Sequence, residues 1–433
     1  MTPLLTDLYE LTMAQGYWKQ RMLDWEGVFH LFFRKKPFGG EYAIMAGLEG
    51  FIEWMNHFAF SDGDLEYLEK LDLFDEEFLD YLSRMRFQCD IDAVEEGRVV
   101  FPLEPLVRVR GPLIQAQLIE SALLNFINFQ TLIATKASRI CHAAQRREVI
   151  EFGLRRAPGP DGALSASRAA YIGGCHATSN LLAGKIFDIP VRGTMGHSWV
   201  MSFDSELEAF QKFDEAMPET CIYLVDTYDP IRGIKRAIEV AKNRGKMLGI
   251  RLDSGDLLSL SMEARKLLDE AGFFDAQIIA SNELDEYAIA SLIQGGAKID
   301  AWGVGTRLVT GKDQGALDGV YKLSAVRKPG GIWSYKIKVS KETVPGILQV
   351  KRFSDRDIIY DEESGLYSEG GEDLLVPIYR KGSCIYQSPP LAEIRKRGIE
   401  ERSLFSFPYP VEFEPTLIEL KQELIEENRG ELL

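Results

Sequence analysis

The chain has 433 residues, of which 45% are hydrophobic and 27% charged, the balance of an ordinary soluble globular protein long enough for two or three domains. A formal net charge of −16 argues against a nucleic-acid-binding surface, which needs a basic face, although a local group of arginines can still reverse the field inside one cleft. Cys89, Cys141, Cys175, Cys221 and Cys384 are scattered, lack metal-ligand spacing and read as reduced thiols of a cytoplasmic protein.

No run approaches the length of a membrane helix, and the N-terminus lacks the basic and apolar regions of a signal peptide. No membrane partner is expected. Thr6 and Asp7 are good helix caps, followed by Leu8, Leu11 and Tyr17 at helical spacing, with Tyr9 just off that stripe. Residues 27–33 read as a strand ending in Arg34-Lys35-Lys36-Pro37, a cationic turn. His30 and His57 lie among apolar residues and read as structural. Residues 62–87 predict short acidic helices, and 90–110 alternate as antiparallel strands do. From Pro112 to about Ala144, Leu118, Ala122, Leu123, Phe126 and Leu132 predict one long helix or a broken pair.

The rhythm then changes. Short apolar runs at 148–152, 189–191, 221–225, 247–250, 276–280 and 299–302 alternate with helical segments, as in Asp229-Pro230, an N-cap followed by an N1 proline. Six such units imply a parallel sheet, open or closed into a barrel. After Thr310 antiparallel strands return at 319–326 and 333–339, with a turn at Pro345-Gly346 and an acidic helix from Pro415. The expected fold is therefore α/β: an irregular β/α barrel over 111–317, with a flanking α+β domain built from 1–110 and 318–433.

Polar groups follow nearly every apolar run: Arg155 and Arg156; Thr194 and His197; Asp226 and Thr227; Arg251, Asp253 and Ser254; Ser281 and Asn282; Gly303, Gly305 and Thr306. Such residues at the carboxyl ends of parallel strands are where β/α barrels assemble active sites. Val191-Arg192-Gly193-Thr194-Met195-Gly196-His197-Ser198 offers an imidazole, able to act as acid, base or nucleophile, flanked by hydroxyls. Arg251 and Asp253, two apart on a strand end, face the same side. Asp253 or Ser254 also suits a helix cap. Gly303-Val304-Gly305-Thr306-Arg307 lets backbone N–H groups approach an anion such as phosphate. Phe152 can stack on a planar ring or serve as core.

These segments resemble nicotinate phosphoribosyltransferases across essentially the whole chain: LLTDLYELTMAQGY (4–17), FFRKKPFGG (32–40), EFGLRRAPGPDG (151–162), GTMGHS (193–198), IRLDSGDL (250–257), SNELDE (281–286) and GVGT (303–306). The resemblance implies formation of nicotinate mononucleotide and diphosphate from nicotinate and 5-phosphoribosyl 1-diphosphate, for NAD salvage. It implies Mg²⁺, and ATP hydrolysis through a phosphorylated histidine, His197. Tyr9 and Phe152 would sandwich the pyridine ring, Tyr9 from a neighbouring subunit in a head-to-tail homodimer. Thr194, Arg155, Asn180 and Arg251 would contact nicotinate, and Arg155, Asp253, Gly303, Gly305 and Thr306 the phosphoribosyl donor. The protein ligands of the metal stay open, since Mg²⁺ would be held mainly by diphosphate and water; Asp253, catalytic with His197 and Arg251, would meet the ribose hydroxyls or the metal's shell. Asn180 stands where nicotinamide-using relatives carry an aspartate, which would repel a substrate carboxylate. Gly196 departs from the alanine common before this histidine. The alternatives are a nicotinamide-using relative, a quinolinate phosphoribosyltransferase, or a non-catalytic phosphosugar-binding barrel.

Overall fold

The structure, a computed structural model, describes residues 2–338, 343–364 and 370–430. Two units make up the chain: Ile133–Gly315, continuous in sequence, and a second formed by Met1–Leu132 with Ala316–Leu433.

The continuous unit is built on six parallel strands. In spatial order they are Ala177–Thr178, Glu148–Glu151, Ala301–Val304, Gln277–Ser281, Gly249–Leu252 and Ile222–Leu224. Val191 adds a single parallel bridge to Thr178 at one edge. Among the described residues no pairing joins that edge to Ile222–Leu224, so a hydrogen-bonded closed barrel is not seen. The expected strand at 189–191 is reduced to that bridge, and its place is taken by Ala177–Thr178. Those two residues carry no apolar run to announce them.

Helices follow the strands, and their starts are set by short polar side chains. Asn180, Asp229, Asp256 and Asp285 each accept a backbone N–H at the first turn of Leu181–Phe187, Pro230–Arg244, Leu257–Glu270 and Glu286–Gln294. Such caps contribute about 1 kcal/mol each. The cap of Leu257–Glu270 is Asp256, not Asp253 or Ser254. Between each strand end and its cap lies a short turn whose side chains are free for other work.

In the second unit, a seven-stranded sheet runs Ser334–Tyr335, Val320–Arg327, Glu26–Phe32, Val107–Pro112, Asp90–Val94, Leu375–Arg380, Ser383–Cys384. Its neighbouring strands pair antiparallel, and first and last segments interleave within it. The expected strand at 333–339 is confined to Ser334–Tyr335, and Val339 lies outside the described residues. His30 is buried there, where its Nε2 accepts the Leu348 N–H at 3.1 Å. Burial, reinforced by Arg108, holds its imidazole well below the usual histidine range. His57, by contrast, is exposed.

The stretch after Pro112 is a broken pair, Leu113–Gln117 and Glu120–Ala143. Contrary to expectation, Leu113–Ala143 is long and apolar enough to cross a membrane by length and composition, with 61% of that window buried inside the protein. Its Ile119, Leu123 and Ile127 belong to the core that Phe29, Leu31, Val107 and Tyr321 also build.

Candidate active site

The turns at the carboxyl ends of five of the six strands, all but Ile222–Leu224, line a cavity of about 440 Å³. Its wall includes Phe152, Arg155 and Arg156 after Glu148–Glu151, Ser179 after Ala177–Thr178, and Gly193–Gly196 beyond Val191. Arg251 and Asp253, Ser281–Glu283, and Gly303, Gly305 and Thr306 complete it. A larger cavity of about 700 Å³ opens at the amino-terminal ends of the same strands, near Glu148, Leu248 and Gln277. The convergent polar groups mark the smaller one as the site of chemistry.

Arg251 is the hub. Its Nε donates to Ser281 Oγ at 2.9 Å, its Nη1 to Thr194 Oγ1 at 2.9 Å, and its Nη2 to Asp253 Oδ1 at 2.8 Å. The same guanidinium sits 5.7 Å from the Phe152 ring centroid. Ser281 Oγ also donates to Asp253 Oδ1. Burial alone pushes the Asp253 carboxyl up, but the Arg251 charge and bonds from Ser281, Arg251 and His197 together hold it below its usual range. The remaining oxygen, Oδ2, lies 3.5 Å from His197 Nε2. His197 Nδ1 is 3.2 Å from Thr227 Oγ1, and its side chain is 42% exposed. Behind these, Asp226 Oδ2 accepts the Asp253 N–H and the Ser254 hydroxyl, both at 2.7 Å.

Gly303 is fixed by the ring opposite it. A Cβ at that position would lie 2.5 Å from Phe152 Cδ2, so only glycine lets this aromatic face stand against the strand end. Gly305 approaches the Phe152 carbonyl in the same way, with a Cβ placed 3.0 Å away. Both glycines therefore have a packing reason besides access for an anion.

Phe152, Arg155, Thr194, Arg251, Asp253, Gly303, Gly305 and Thr306 thus converge on one cavity, and His197 joins through Asp253. Two further expected residues are not among those lining the cavity. Tyr9 lies in the other unit, half exposed on Leu8–Lys19 and absent from the cavity wall. Asn180 is buried, its Oδ1 capping Ala183 and its Nδ2 donating to Ser167 Oγ at 3.3 Å. Its neighbour Ser179 lines the cavity instead.

Ser179 and Glu283 carry no residue-type signal that would have marked them. Ser281, Asp226 and Thr227 were visible only as polar groups past a strand, and their bonds run to residues about 30 positions away. Among the described residues no group of three or more His, Cys, Asp and Glu side chains gathers to hold a metal ion.

Residues 4–128 match the nicotinate phosphoribosyltransferase N-terminal domain, and residues 148–343 match the nicotinate phosphoribosyltransferase family. The chain is 43% identical to the nicotinate phosphoribosyltransferase of Bacillus subtilis (strain 168), over 93% of this chain and 89% of that one. It is 45% identical to one from Mycobacterium tuberculosis (strain ATCC 25618 / H37Rv), over 89% of this chain and 84% of that one. Among solved structures, human nicotinic acid phosphoribosyltransferase superposes with a TM-score of 0.85 at 29% identity, covering 97% of this chain and 99% of that one. Seen together with the cavity at the strand ends, these likenesses place the chain in the nicotinate phosphoribosyltransferase family.

Proposed function

We propose that the chain joins nicotinate to 5-phosphoribosyl 1-diphosphate, releasing diphosphate and nicotinate mononucleotide for NAD salvage in the cytoplasm, with hydrolysis of ATP. The observation that carries the reading is the set Phe152, Thr194, Arg251 and Asp253 around one cavity, with His197 facing Asp253.

In this reading the pyridine nitrogen attacks the anomeric carbon as the C–O bond to diphosphate breaks, through a cation-like sugar that requires no strong base. Phe152 presents a flat apolar face to the ring. Arg251, already oriented by Thr194, Ser281 and Asp253, and Arg155 supply positive charge for the nicotinate carboxylate and the phosphates. Gly303, Gly305 and Thr306 offer backbone N–H groups and a hydroxyl to the donor's phosphate.

Magnesium fits these residues if it arrives with the diphosphate and water, because it takes few protein ligands and keeps several waters. Asp253 and Glu283, the two carboxylates on the cavity wall, are the ones that would hold that hydration shell, and the ion would supply charge neutralisation to the leaving group.

His197 acts in a separate step. Asp253 facing Nε2 favours a proton there, which leaves the Nδ1 lone pair to attack the γ-phosphorus of ATP as ADP departs. Asp253 then faces the imidazolium so formed. Water later takes the phosphoryl group from the histidine and drives net synthesis.

A homodimer with shared sites completes the proposal. Leu8, Tyr9 and Met13 are exposed on the first helix, and Leu181, Leu182 and Ile186 on the helix beside the site. Apolar side chains left in water on two helices suit contact with a second copy. Mixing inactive Tyr9→Ala and Arg251→Ala proteins under subunit exchange should restore activity, because one pocket per mixed dimer then carries neither change. No recovery despite proven exchange would remove Tyr9 from the partner's site.

The deciding experiment measures product from nicotinate and from nicotinamide, each with and without ATP, for wild type and His197→Ala. Wild type should use nicotinate, be stimulated by ATP and carry acid-labile phosphate. His197→Ala should retain only slow, ATP-independent synthesis. Preference for nicotinamide, or full ATP stimulation in the variant, would overturn the reading.

A further inference from the structure

Glu151 ends the strand Glu148–Glu151, one residue before Phe152, and is 1% exposed. Its carboxylate accepts the Gly153 N–H, the Ser167 hydroxyl at 2.9 Å and the Thr178 hydroxyl at 2.6 Å. These donors are neutral and come from three places: the turn after its own strand, the helix Gly159–Ile172, and the strand Ala177–Thr178. A buried carboxylate is tolerated only while its lone pairs are taken. Displacing any one donor therefore leaves part of a buried carboxylate unsatisfied, which ties the three elements to it.

The attachments continue to the cavity wall. Thr178 Oγ1 also accepts the Asn180 N–H at 3.0 Å, and Asn180 Nδ2 reaches the same Ser167 hydroxyl. The Glu151 carbonyl accepts the Ser179 N–H at 2.9 Å, and the Thr178 carbonyl accepts the Arg192 N–H at 3.0 Å. The segments so fixed carry Phe152, Arg155, Ser179 and, just beyond Arg192, Thr194.

We infer that Glu151 is the positioning residue of the ring-binding wall, setting the Phe152 face and the Gly153–Arg155 turn without touching substrate. The inference rests on the reading that nicotinate binds beside Phe152. A carboxylate serving only the fold would affect both substrates alike. One serving this wall raises the KM of nicotinate more than that of the phosphoribosyl donor, which it reaches only through Arg155.

The test uses Thr178→Val, which keeps the side chain's shape and removes both the donor to Glu151 and the acceptor of the Asn180 N–H, and Thr178→Ser, which keeps the hydroxyl. Glu151→Gln is the harsher variant. Loss of a hydrogen bond to a charged acceptor predicts a rise in KM for nicotinate of roughly tenfold in Thr178→Val, with a distinctly smaller rise, about threefold at most, in donor KM. Thr178→Ser should return close to wild type, and Glu151→Gln should shift the same way, further. Equal rises in both KM values, no rise for nicotinate, or failure of serine to rescue would overturn the inference. Should Glu151→Gln not fold, the threonine pair decides.

Amide hydrogen exchange reads the same wall without turnover. Faster exchange in Thr178→Val confined to 152–156 and 178–180, with the helix Leu257–Glu270 unchanged, supports the inference, and unaltered exchange there overturns it. Absence of product from nicotinate in wild type would count against the proposed activity instead, and the exchange pattern would still decide the role of Glu151.

Discussion

Asp253 faces His197 across 3.5 Å with one carboxylate oxygen while the other is held by neighbours on its own and the adjacent strand. An amide cannot reproduce this arrangement, because it turns an N–H toward either Ser281 or the histidine. Asp253→Asn should therefore lower ATP hydrolysis and the level of phosphohistidine at least about tenfold, the scale of a lost charge-assisted bond. Acid-labile phosphate and ADP release measure it. An undiminished phosphohistidine level would free Asp253 from that role.

Asn180 acts from behind the wall. Aspartate in its place still caps the helix, but it cannot donate to Ser167 and brings a second carboxylate to the hydroxyl that Glu151 already uses. Asn180→Asp should cost about 1–3 kcal/mol of stability and depress nicotinate use more than donor binding. Thermal unfolding and the two KM values check this, and wild-type values for both would separate Asn180 from the network.

Gly303→Ala forces a methyl toward Phe152 Cδ2. The ring or the strand end must shift, at a cost of about 1–3 kcal/mol. The KM for nicotinate should rise roughly tenfold by the same arithmetic. A variant with unchanged KM would mean that the ring face plays no part in binding.

Glu10 gives a pH-dependent prediction. Burial pushes its carboxyl from the ordinary 4.5 up to about 7, and bonds from Ser121 and Thr6 offset only part of that. Folded protein thus keeps a proton that the unfolded chain releases, so stability from this site is full below about pH 4.5. It falls as the pH rises toward about 7 and then levels. Glu10→Gln should be more stable than wild type by on the order of 2 kcal/mol near pH 8, and the difference should vanish near pH 4. Denaturant unfolding across that range measures it, and a pH-independent difference would contradict the shift.

Much of the architecture is legible in the sequence because it is local. Apolar runs spaced by helical segments announce the parallel sheet, and Asp229-Pro230 announces its helix start. Arg251 and Asp253 share a face because a strand alternates. What escapes is non-local. Ala177–Thr178 is a strand only because Glu148–Glu151 lies beside it. Gly255, at φ 77°, turns the chain so that Asp256 takes the cap and leaves Asp253 for the cavity. Glu151 and Ser281 draw their roles from partners on other elements, and a glutamate or serine at a strand end carries no mark of that.

The interleaved sheet of the second unit also sets an order of assembly during synthesis. Glu26–Phe32 is made early, yet its neighbour Val320–Arg327 leaves the ribosome only after the whole of Ile133–Gly315 has been made. The continuous unit can collapse as it emerges, because all of its strands are already present. The N-terminal segment must wait with one edge of Glu26–Phe32 unpaired, an open template for wrong partners. Chains stalled between Gly315 and Arg327 should therefore carry a protease-resistant parallel-sheet unit joined to an N-terminal segment that chaperones still hold.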